Sequence, residues 1–456
     1  MSKTTQGSFI TLNGEEFYKI SNYDCMEDFF MTMISASDIW NFCWSQGGLT
    51  AGRIDCDHAV FPYYTADKVK DAKSYTGPHT VITIKSSTST ENWKPFEEID
   101  SSLLDSNNFE RNLYKNVSGT KIIFEEINKK LNLAFRYCWT SSAKFGLVRK
   151  LSVENLSSSS VEVTVLDGCK NILPACVTAD FQNNNSVLLD AYKKTELDTE
   201  SNLAIFTVSS IVTDKAEPNE GLYANTCWFN TKDTPILDLD EKAATISRGK
   251  RPACFIEKNI KLNGIACETW YQVFDTYLDS CRVADLTAKL ADKVALTKEL
   301  EEDIENGTKA IMSRIAEADG IQETAEKSTT IHHSANVLFN IMRGGIFANG
   351  GKIDVEDFVN STAVRNKAGA KELASLLQSK GISGLVDYST LKDAIFTDDG
   401  CPQAKRLFLE YMPLTFSRRH GDPSRPWNRF AIKIQNPDGS QVLNYEGNWR
   451  DIFQNW

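Results

Sequence analysis

The chain has 456 residues, of which 41% are hydrophobic and 24% charged, and its formal net charge is −11. These proportions are typical of a folded globular protein, and the length exceeds what one hydrophobic core usually serves, so two or three structural units are expected. The acidic balance disfavours nucleic acid as a partner, because a surface that repels phosphate gains nothing from counterion release.

The N-terminus and the cysteines indicate a compartment. The opening MSKTTQGSFI lacks the apolar core of a signal peptide, and no later stretch is apolar enough to cross a bilayer. The 11 cysteines are odd in number and scattered without a CxxC pair, which fits reduced thiols better than disulfides. We therefore expect a cytoplasmic protein with no membrane partner.

Residues 8–280 predict a region of antiparallel strands. Large side chains occupy every second position from Leu131 to Trp139, as on a strand with one buried face, and Asn128-Lys129-Lys130 before it predicts a hairpin turn. Two more strand patterns, Leu147–Asn155 and Val161–Val165, flank a run of serines. Many short strands with few helical stretches indicate a β-sandwich.

One aromatic and glycine-rich segment within this region has two interpretations. It runs from Trp40 to Thr50 and is followed by Phe61-Pro62-Tyr63-Tyr64. Exposed indole and phenol rings beside polar amides would suit stacking on a sugar ring. Packing of the aromatic rings between two sheets is the preferred alternative, because large aromatic residues are mostly buried.

After Cys281 the pattern becomes helical. Leu286, Leu290 and Val294 recur at helical spacing down to a predicted break at Asn306-Gly307. The charged run within this stretch is expected to be a solvated helix face. Further helices are predicted at Ile331–Arg343 before Gly344-Gly345, at Ala368–Lys380 before Gly381 and at Gln403–Tyr411. Adjacent His332 and His333 point about 100° apart on a helix and lack a ligand motif, so no metal is expected.

The densest polar cluster of the chain lies at residues 416–429. Gly421, Pro423 and Pro426 exclude a regular helix or strand, so a shaped loop is predicted. Guanidinium forks match phosphate or carboxylate oxygens, and indole and imidazole rings can flank a sugar. The candidate binding residues are Arg418, Arg419, His420, Asp422, Arg425 and Trp427. The alternative is a structural loop whose charged groups pair with one another, with Asp422 bound to one of the arginines.

A hairpin is predicted next, from alternating apolar residues over 430–434, the turn Asn436-Pro437-Asp438-Gly439 and Val442 on the return. The chain then reaches Trp449 and Asp451 at the start of a predicted helix. A general acid for glycoside cleavage needs a carboxyl that stays protonated near neutral pH, and an indole wall can raise its pKa by desolvation. Asp451 fits that requirement; helix capping is its alternative role.

The order of sandwich, helical linker and helical region resembles the cellobiose phosphorylase family of inverting glycoside phosphorylases. The sequence detail of the resemblance lies in Leu147–Pro174, especially its last ten residues, and near the end of the chain. There Gly447-Asn448-Trp449-Arg450-Asp451 is similar to the family's Gly-Asp-Trp-Asn-Asp-Gly motif at the glycine, the tryptophan and the second aspartate. Asn448, Arg450 and Ile452 depart from that motif.

The resemblance implies a multi-domain protein that is β and then α. A mutarotase-like β-supersandwich over residues 1–280 would precede a helical linker over 281–330 and an (α/α)6 catalytic barrel from 331 to 456. Twelve barrel helices with their loops need roughly 200 residues. We therefore expect the barrel to be incomplete and the chain to be a fragment of a longer gene product, without turnover by itself.

The resemblance also implies a mechanism. Asp451 would protonate the leaving sugar while inorganic phosphate attacks the anomeric carbon from the opposite face, with inversion. The substrate would be a disaccharide or oligosaccharide, Trp449 and the loop residues would bind it and the phosphate, no other cofactor is implied, and a homodimer stays open. The alternatives are a glycoside hydrolase of the same architecture, which needs its own base, and a non-catalytic carbohydrate-binding protein.

Overall fold

The computed structural model describes residues 3–85, 90–97, 108–212, 219–397, 402–417, 430–436 and 440–443. These residues form two compact units. The first contains the described residues up to Met312 together with 430–432, and the second contains those from Ser313 onwards together with the residues after 432. The domain boundaries at 280 and 330 stay predictions.

The first unit is rich in antiparallel strands, as the sequence predicts. Its strands are β1 Gln6–Leu12, β2 Glu15–Ser21, β3 Phe30–Met33, β4 Ile39–Trp44, β5 Leu49–Arg53, β6 Ala59–Phe61, β7 Gly77–Lys85, β8 Thr90–Trp93, β9 Phe109–Asn116, β10 Ile122–Asn128, β11 Leu133–Ser142, β12 Gly146–Asn155, β13 Val161–Lys170, β14 Lys193–Asp198, β15 Leu203–Val208, β16 Ala224–Phe229, β17 Ile246–Arg248, β18 Ala253–Leu262 and β19 Cys267–Leu278. Its helices are α1 Ala66–Asp71, α2 Ala179–Asn184, α3 Ser186–Asp190, α4 Ser280–Lys289 and α5 Lys293–Glu317, the last of which ends in the second unit.

These strands form three sheets. The largest has 11 strands in the order β1-β2-β9-β10-β11-β12-β19-β16-β15-β14-β17, and two sheets of four strands have the orders β18-β13-β7-β8 and β3-β4-β5-β6. The predicted hairpin is confirmed, because Ile122 on β10 pairs with Trp139 on β11. The two strands that flank the serines, β12 and β13, belong to different sheets, so the serine-rich connection carries the chain from one sheet to another.

Alternation along the strands explains how the three sheets share a core. Phe135, Tyr137 and Trp139 on β11 lie in one apolar cluster with Val163 and Val165 on β13. The residues between them face away from this core, and there Arg136 on β11 forms ion pairs with Glu125 and Glu154 on the neighbouring strands. A period of two thus places one face of the large sheet against the smaller sheets.

The helices that follow β19 cover the opposite face of the large sheet. Leu286 and Leu290 on α4 and Leu300 and Ile304 on α5 pack in one cluster with Val148 and other residues of β12 and β19. The predicted break at Asn306-Gly307 is wrong, because α5 continues through it. Apolar residues recur on the same side before and after Gly307, and one glycine costs a helix only about 1 kcal/mol. Val294, predicted on the apolar face, is 83% exposed.

The second unit is mostly helical. Its elements are α6 Lys327–Gly344, β20 Ile346–Phe347, β21 Lys352–Asp354, α7 Val355–Arg365, α8 Lys367–Ser379, β22 Leu385–Asp387, α9 Tyr388–Phe396, α10 Pro402–Glu410 and β23 Leu414–Thr415. The predicted helix ends at Gly345 and Gly381 are confirmed, since both residues have positive φ beyond a helix C-terminus. Two short antiparallel ribbons, β20-β23 and β21-β22, join the helices, and the (α/α)6 barrel stays a prediction.

The predicted hairpin near the end of the chain is confirmed in the residues that the structure describes. Gln435 forms an antiparallel bridge with Gln441. The Asn436 amide donates to the Ser440 carbonyl at 2.8 Å, and the Val442 amide donates to the Ile434 carbonyl at 3.1 Å.

Gly146, at the start of β12, provides a sharp test of the sheet packing. Its φ is +102°, and a Cβ there would lie 2.1 Å from the Phe274 carbonyl oxygen of β19. Gly249 has φ +68° with open space around it, so it is a matched control. We expect Gly249→Ala to lower the free energy of unfolding by about 1 kcal/mol and Gly146→Ala by about 3 kcal/mol or more. Urea unfolding followed by fluorescence would measure both, and equal effects would contradict the packing described here.

Candidate functional site

The residues predicted to carry the chemistry lie outside the described part of the chain. They are Arg418, Arg419, His420, Asp422, Arg425, Trp427, Trp449 and Asp451. Their roles therefore stay predictions, and the candidate site is built from the neighbouring residues that the structure does describe.

The chain that directly follows the arginine-rich segment packs on the first unit. The Phe430 ring meets three aromatic rings edge-on, those of Trp40 at 5.3 Å, Phe42 at 6.0 Å and Tyr63 at 5.8 Å between centroids. Trp40 is 2% exposed and Phe61 is fully buried. The preferred interpretation of this aromatic segment as core is confirmed for these two residues.

Backbone hydrogen bonds add to this contact. Ala431 forms an antiparallel bridge with Asp55, and the Ile432 amide donates to the Ile54 carbonyl at 2.6 Å. The loop between β5 and β6 thus pairs with residues 430–432 through backbone hydrogen bonds, as the edge strand of a sheet would. Residues 430–432 are consequently fixed beside Asp55.

Asp55 and His58, in the same loop, form a carboxylate–imidazole pair. The Asp55 Oδ1 atom lies 2.7 Å from His58 Nδ1 and accepts the Asp57 amide at 2.9 Å. Burial by itself would raise the pKa of Asp55, but the hydrogen bonds from His58 and from the backbone lower it below its ordinary value. The carboxylate is therefore ionised near neutral pH, and it orients the imidazole with Nε2 pointing away from it.

Aromatic side chains surround this pair. The His58 ring lies 4.2 Å from the Tyr277 ring, which lies 5.6 Å from the Tyr223 ring. Tyr223 is 45% exposed. Burial raises the pKa of the Tyr277 hydroxyl and of the nearby Cys176 thiol, so both groups are neutral at physiological pH. The exposed Tyr223 ring offers a stacking surface to a ligand, and the oriented imidazole of His58, which contacts the same Tyr277 ring, offers a hydrogen-bonding group.

Three residues of this site have a strained backbone. Ile54, Cys176 and Tyr277 all have positive φ, at 58°, 63° and 54°. Non-glycine residues in this conformation are uncommon, and a β-branched isoleucine is an outlier. Such strain costs on the order of 1–3 kcal/mol per residue and gathers at functional sites.

Arg53, the residue before Ile54, holds the strained loop in place. Its guanidinium donates to Asp275 Oδ1 at 2.5 Å, to Asp38 Oδ1 at 2.6 Å and to the Ala143 carbonyl at 3.0 Å. Burial opposes the charge, but the two carboxylates raise the pKa of Arg53, so it stays protonated. The network ties the loop to β19 and to the β11–β12 turn.

Sequence reasoning missed this site for an identifiable reason. The spacing Asp55-Cys56-Asp57-His58 was a usable signal, because a carboxylate three residues before a histidine can reach its ring. Tyr223 and Tyr277 come from distant parts of the chain and carry no local signal.

Within the described ranges no group of three His, Cys, Asp or Glu residues could hold a metal ion, and no helix has the length and the apolar character of a membrane span.

Comparisons with known proteins complete the description. No family model matches the sequence, and no curated protein matches it. A bacterial glucoamylase complexed with acarbose has a TM-score of 0.35 at 10% identity, with 84% of this chain and 55% of that chain covered. A protein from the human microbiome assigned as a kojibiose phosphorylase has a TM-score of 0.29 at 11% identity, with 87% and 45% covered. A protein from Klebsiella pneumoniae subsp. pneumoniae MGH 78578 assigned as an aldose 1-epimerase has a TM-score of 0.26 at 8% identity, with 64% and 92% covered.

The chain therefore spans about half the length of the glucoamylase and of the kojibiose phosphorylase-like protein. At these TM-scores and identities the likenesses carry no argument about the activity of this chain. Its own residues have to supply that argument.

Proposed function

We propose that this chain belongs to a carbohydrate-active enzyme of the glycoside phosphorylase type, which cleaves a glycosidic bond with inorganic phosphate and inverts the anomeric carbon. The observation that carries the proposal is the sequence Gly447-Asn448-Trp449-Arg450-Asp451, with its resemblance to the general-acid motif of the cellobiose phosphorylase family. The order of a sheet-rich first unit and a helical second unit supports it.

In this proposal Asp451 donates a proton to the glycosidic oxygen, and phosphate is the nucleophile. Arg418, Arg419, His420 and Arg425 bind the phosphate, because guanidinium groups match its oxygens in geometry and charge. The sugar-binding residues are Asp422, Trp427 and Trp449. No second protein base is needed, because phosphate attacks without losing a proton to the enzyme first.

In this proposal the surface around the Asp55–His58 pair is a saccharide-binding surface of the first unit. Tyr223 presents an exposed ring on which the apolar face of a pyranose can stack. His58, oriented by Asp55, hydrogen-bonds a sugar hydroxyl through Nε2. The bridge between Asp55 and Ala431, which follows the arginine-rich segment in the sequence, supports this role.

Saccharide binding by the chain itself tests this part of the proposal. We expect Tyr223→Ala and His58→Ala each to weaken oligosaccharide binding by about tenfold, since each removes one stacking or hydrogen-bonding contact. Tyr18→Ala is the matched control, because Tyr18 is 42% exposed on β2 and its ring meets the neighbouring Phe9 ring edge-on. Calorimetric titration with cello- and malto-oligosaccharides would measure the affinities, and equal affinities in all three variants would remove this surface from the proposal.

The dependence of the reaction on phosphate separates the three candidate functions. With the product of the complete reading frame, a phosphorylase consumes oligosaccharide only when phosphate is present and releases a sugar 1-phosphate. A hydrolase of the same architecture releases free sugar without phosphate, through a water activated by a second base. Binding without either reaction would indicate a non-catalytic carbohydrate-binding protein.

A further inference from the structure

A cavity that does not include the residues of the Asp55–His58 surface opens in the first unit. Its volume is about 440 Å³. Its walls come from the β4–β5 turn, the 3-10 helix Ala72–Ser74, the start of β7, the chain after β8, the middle of β11 and the end of β13. Small-molecule sites commonly have volumes of about 300–1,000 Å³, so this cavity holds one substituted sugar ring but no long oligosaccharide.

The floor of the cavity is aromatic and firmly held. Tyr137 on β11 is 3% exposed, and its ring stacks on Phe124 with 4.8 Å between centroids and an interplanar angle of 17°. The Phe96 ring meets Tyr137 edge-on at 5.3 Å, and the Arg149 guanidinium lies 5.0 Å from the Tyr137 ring. Because these contacts leave no face of the Tyr137 ring open to a ligand, the half-buried Phe96 ring is the apolar surface that the cavity offers to a pyranose.

The walls carry more positive than negative charge. Lys73 and Lys170 line the cavity together with a single carboxylate, Glu97. His79 Nδ1 lies 3.7 Å from Glu97 Oε1. Burial and the charge of Lys170 lower the pKa of His79 despite this carboxylate, so the imidazole is neutral near pH 7. A chain with a net charge of −11 thus forms a locally cationic cavity.

Polar groups that suit hydroxyls complete the lining. Gln46 and Ser74 line the cavity, and the Gln46 amide nitrogen is already bound to Asp28, which leaves its oxygen for a hydroxyl donor. Glu97 and His79 add an acceptor and an imidazole to the lining. An aromatic floor, two ammonium groups and several neutral polar groups match the parts of one phosphorylated sugar.

We propose that this cavity binds a monosaccharide phosphate, with the sugar ring over Phe96 and the phosphate between Lys73 and Lys170. A phosphate group carries up to two negative charges, whereas a carboxylate carries only one. Two ammonium groups therefore match a phosphate better than a carboxylate. Glu97 and His79 hydrogen-bond the ring hydroxyls. This site goes beyond the proposed cleavage reaction, since it involves neither Asp451 nor the Asp55–His58 surface, and it holds whether or not that reaction is correct.

Calorimetric titration of the chain with glucose 6-phosphate and glucose 1-phosphate tests the site. We expect Lys170→Met and Lys73→Met each to weaken binding about tenfold or more, because each removes a charged hydrogen-bond donor. The control is Lys261→Met, which removes an equal charge from an exposed pair with Glu162. Glu162 and Lys170 lie at opposite ends of β13, about 25 Å apart, so the control should bind as the unchanged chain does.

Three further titrations identify the ligand class. Glucose should bind at least tenfold more weakly than its phosphates, glucuronate should fall between them, and inorganic phosphate should bind weakly because it lacks the ring. Lys73 and Lys170 come from different elements, so if one variant fails to fold, the other decides. The proposal is overturned if neither sugar phosphate binds, if glucose binds equally well, or if the folded lysine variants keep the affinity of the unchanged chain.

Discussion

Replacing Asp167 with alanine is expected to lower the free energy of unfolding of the first unit by about 3–5 kcal/mol. Asp167 and Arg149 are both fully buried, and their side chains are 3.0 Å apart at the closest nitrogen–oxygen contact. Asp167 also accepts the Thr80 hydroxyl at 2.6 Å, and Arg149 donates to Gln272 at 3.2 Å. Without the carboxylate, the guanidinium charge stays buried among the sheets with too few acceptors.

The double variant Arg149→Met with Asp167→Leu distinguishes two contributions to the free energy of unfolding. One is the destabilisation by an unpaired buried charge, and the other is the stabilisation by the ion pair itself. Removing both charges avoids the buried unpaired ion, so we expect this variant to be close to the unchanged chain in stability. Glu162→Ala, on the same strand but 73% exposed, should change it by less than about 0.5 kcal/mol. Urea unfolding followed by fluorescence of the buried tryptophans would measure all three. A single Asp167→Ala variant as stable as its Glu162→Ala control would contradict the buried pair.

Asp451→Asn should lower kcat by about 10²–10⁴, measured with the product of the complete reading frame. The amide keeps the shape of the carboxyl but cannot donate a proton to the leaving sugar, so KM should change little. Asp438→Asn is the control, because the sequence places Asp438 in a hairpin turn rather than at the reaction centre.

The choice of substrate sharpens this test. A glycosyl fluoride has a leaving group that departs without a full proton transfer, so its cleavage should depend much less on Asp451. We therefore expect Asp451→Asn to be impaired strongly on the natural glycoside and weakly on the fluoride. Equal losses on both substrates would indicate a structural role for Asp451, and an unchanged kcat on both would remove it from the acid role.

Local pattern predicted much of the first unit. The alternation from Leu131 to Trp139 predicted both the strand and its buried face, because side chains on a strand must alternate between core and solvent. The strand begins two residues later than the pattern, at Leu133, since Asn132 has a positive φ and completes the turn. Glycines also predicted the ends of α6 and α8, because few other residues tolerate a positive φ there.

The pairing of distant strands could not be predicted in the same way. β19 lies between β12 and β16 in the large sheet, although it is the last strand of the first unit in chain order. The sequence of a strand states which face is buried but not which strand lies beside it. For the same reason the serine-rich connection between β12 and β13 gave no sign that it changes sheets.

The two candidate sites depend on these long-range pairings. Ile54 and Tyr277 adopt a positive φ that their side chains disfavour, so only the surrounding structure holds them there. The cavity with Tyr137 combines His79 on β7, Lys170 at the end of β13 and Phe96 after β8, and no local spacing links these residues. The predicted binding loop depended on residue type alone, and the predicted general acid depended on a resemblance in sequence.

The central claim is phosphorolysis with inversion, and the anomeric configuration of the product tests it most directly. The product of the complete reading frame would be incubated with oligosaccharide and inorganic phosphate, and the sugar 1-phosphate would be observed by proton NMR before it can equilibrate. We predict a sugar 1-phosphate whose anomeric configuration is opposite to that of the cleaved bond and whose formation stops when phosphate is withheld. Free sugar formed equally well without phosphate, or a 1-phosphate of retained configuration, would contradict the account.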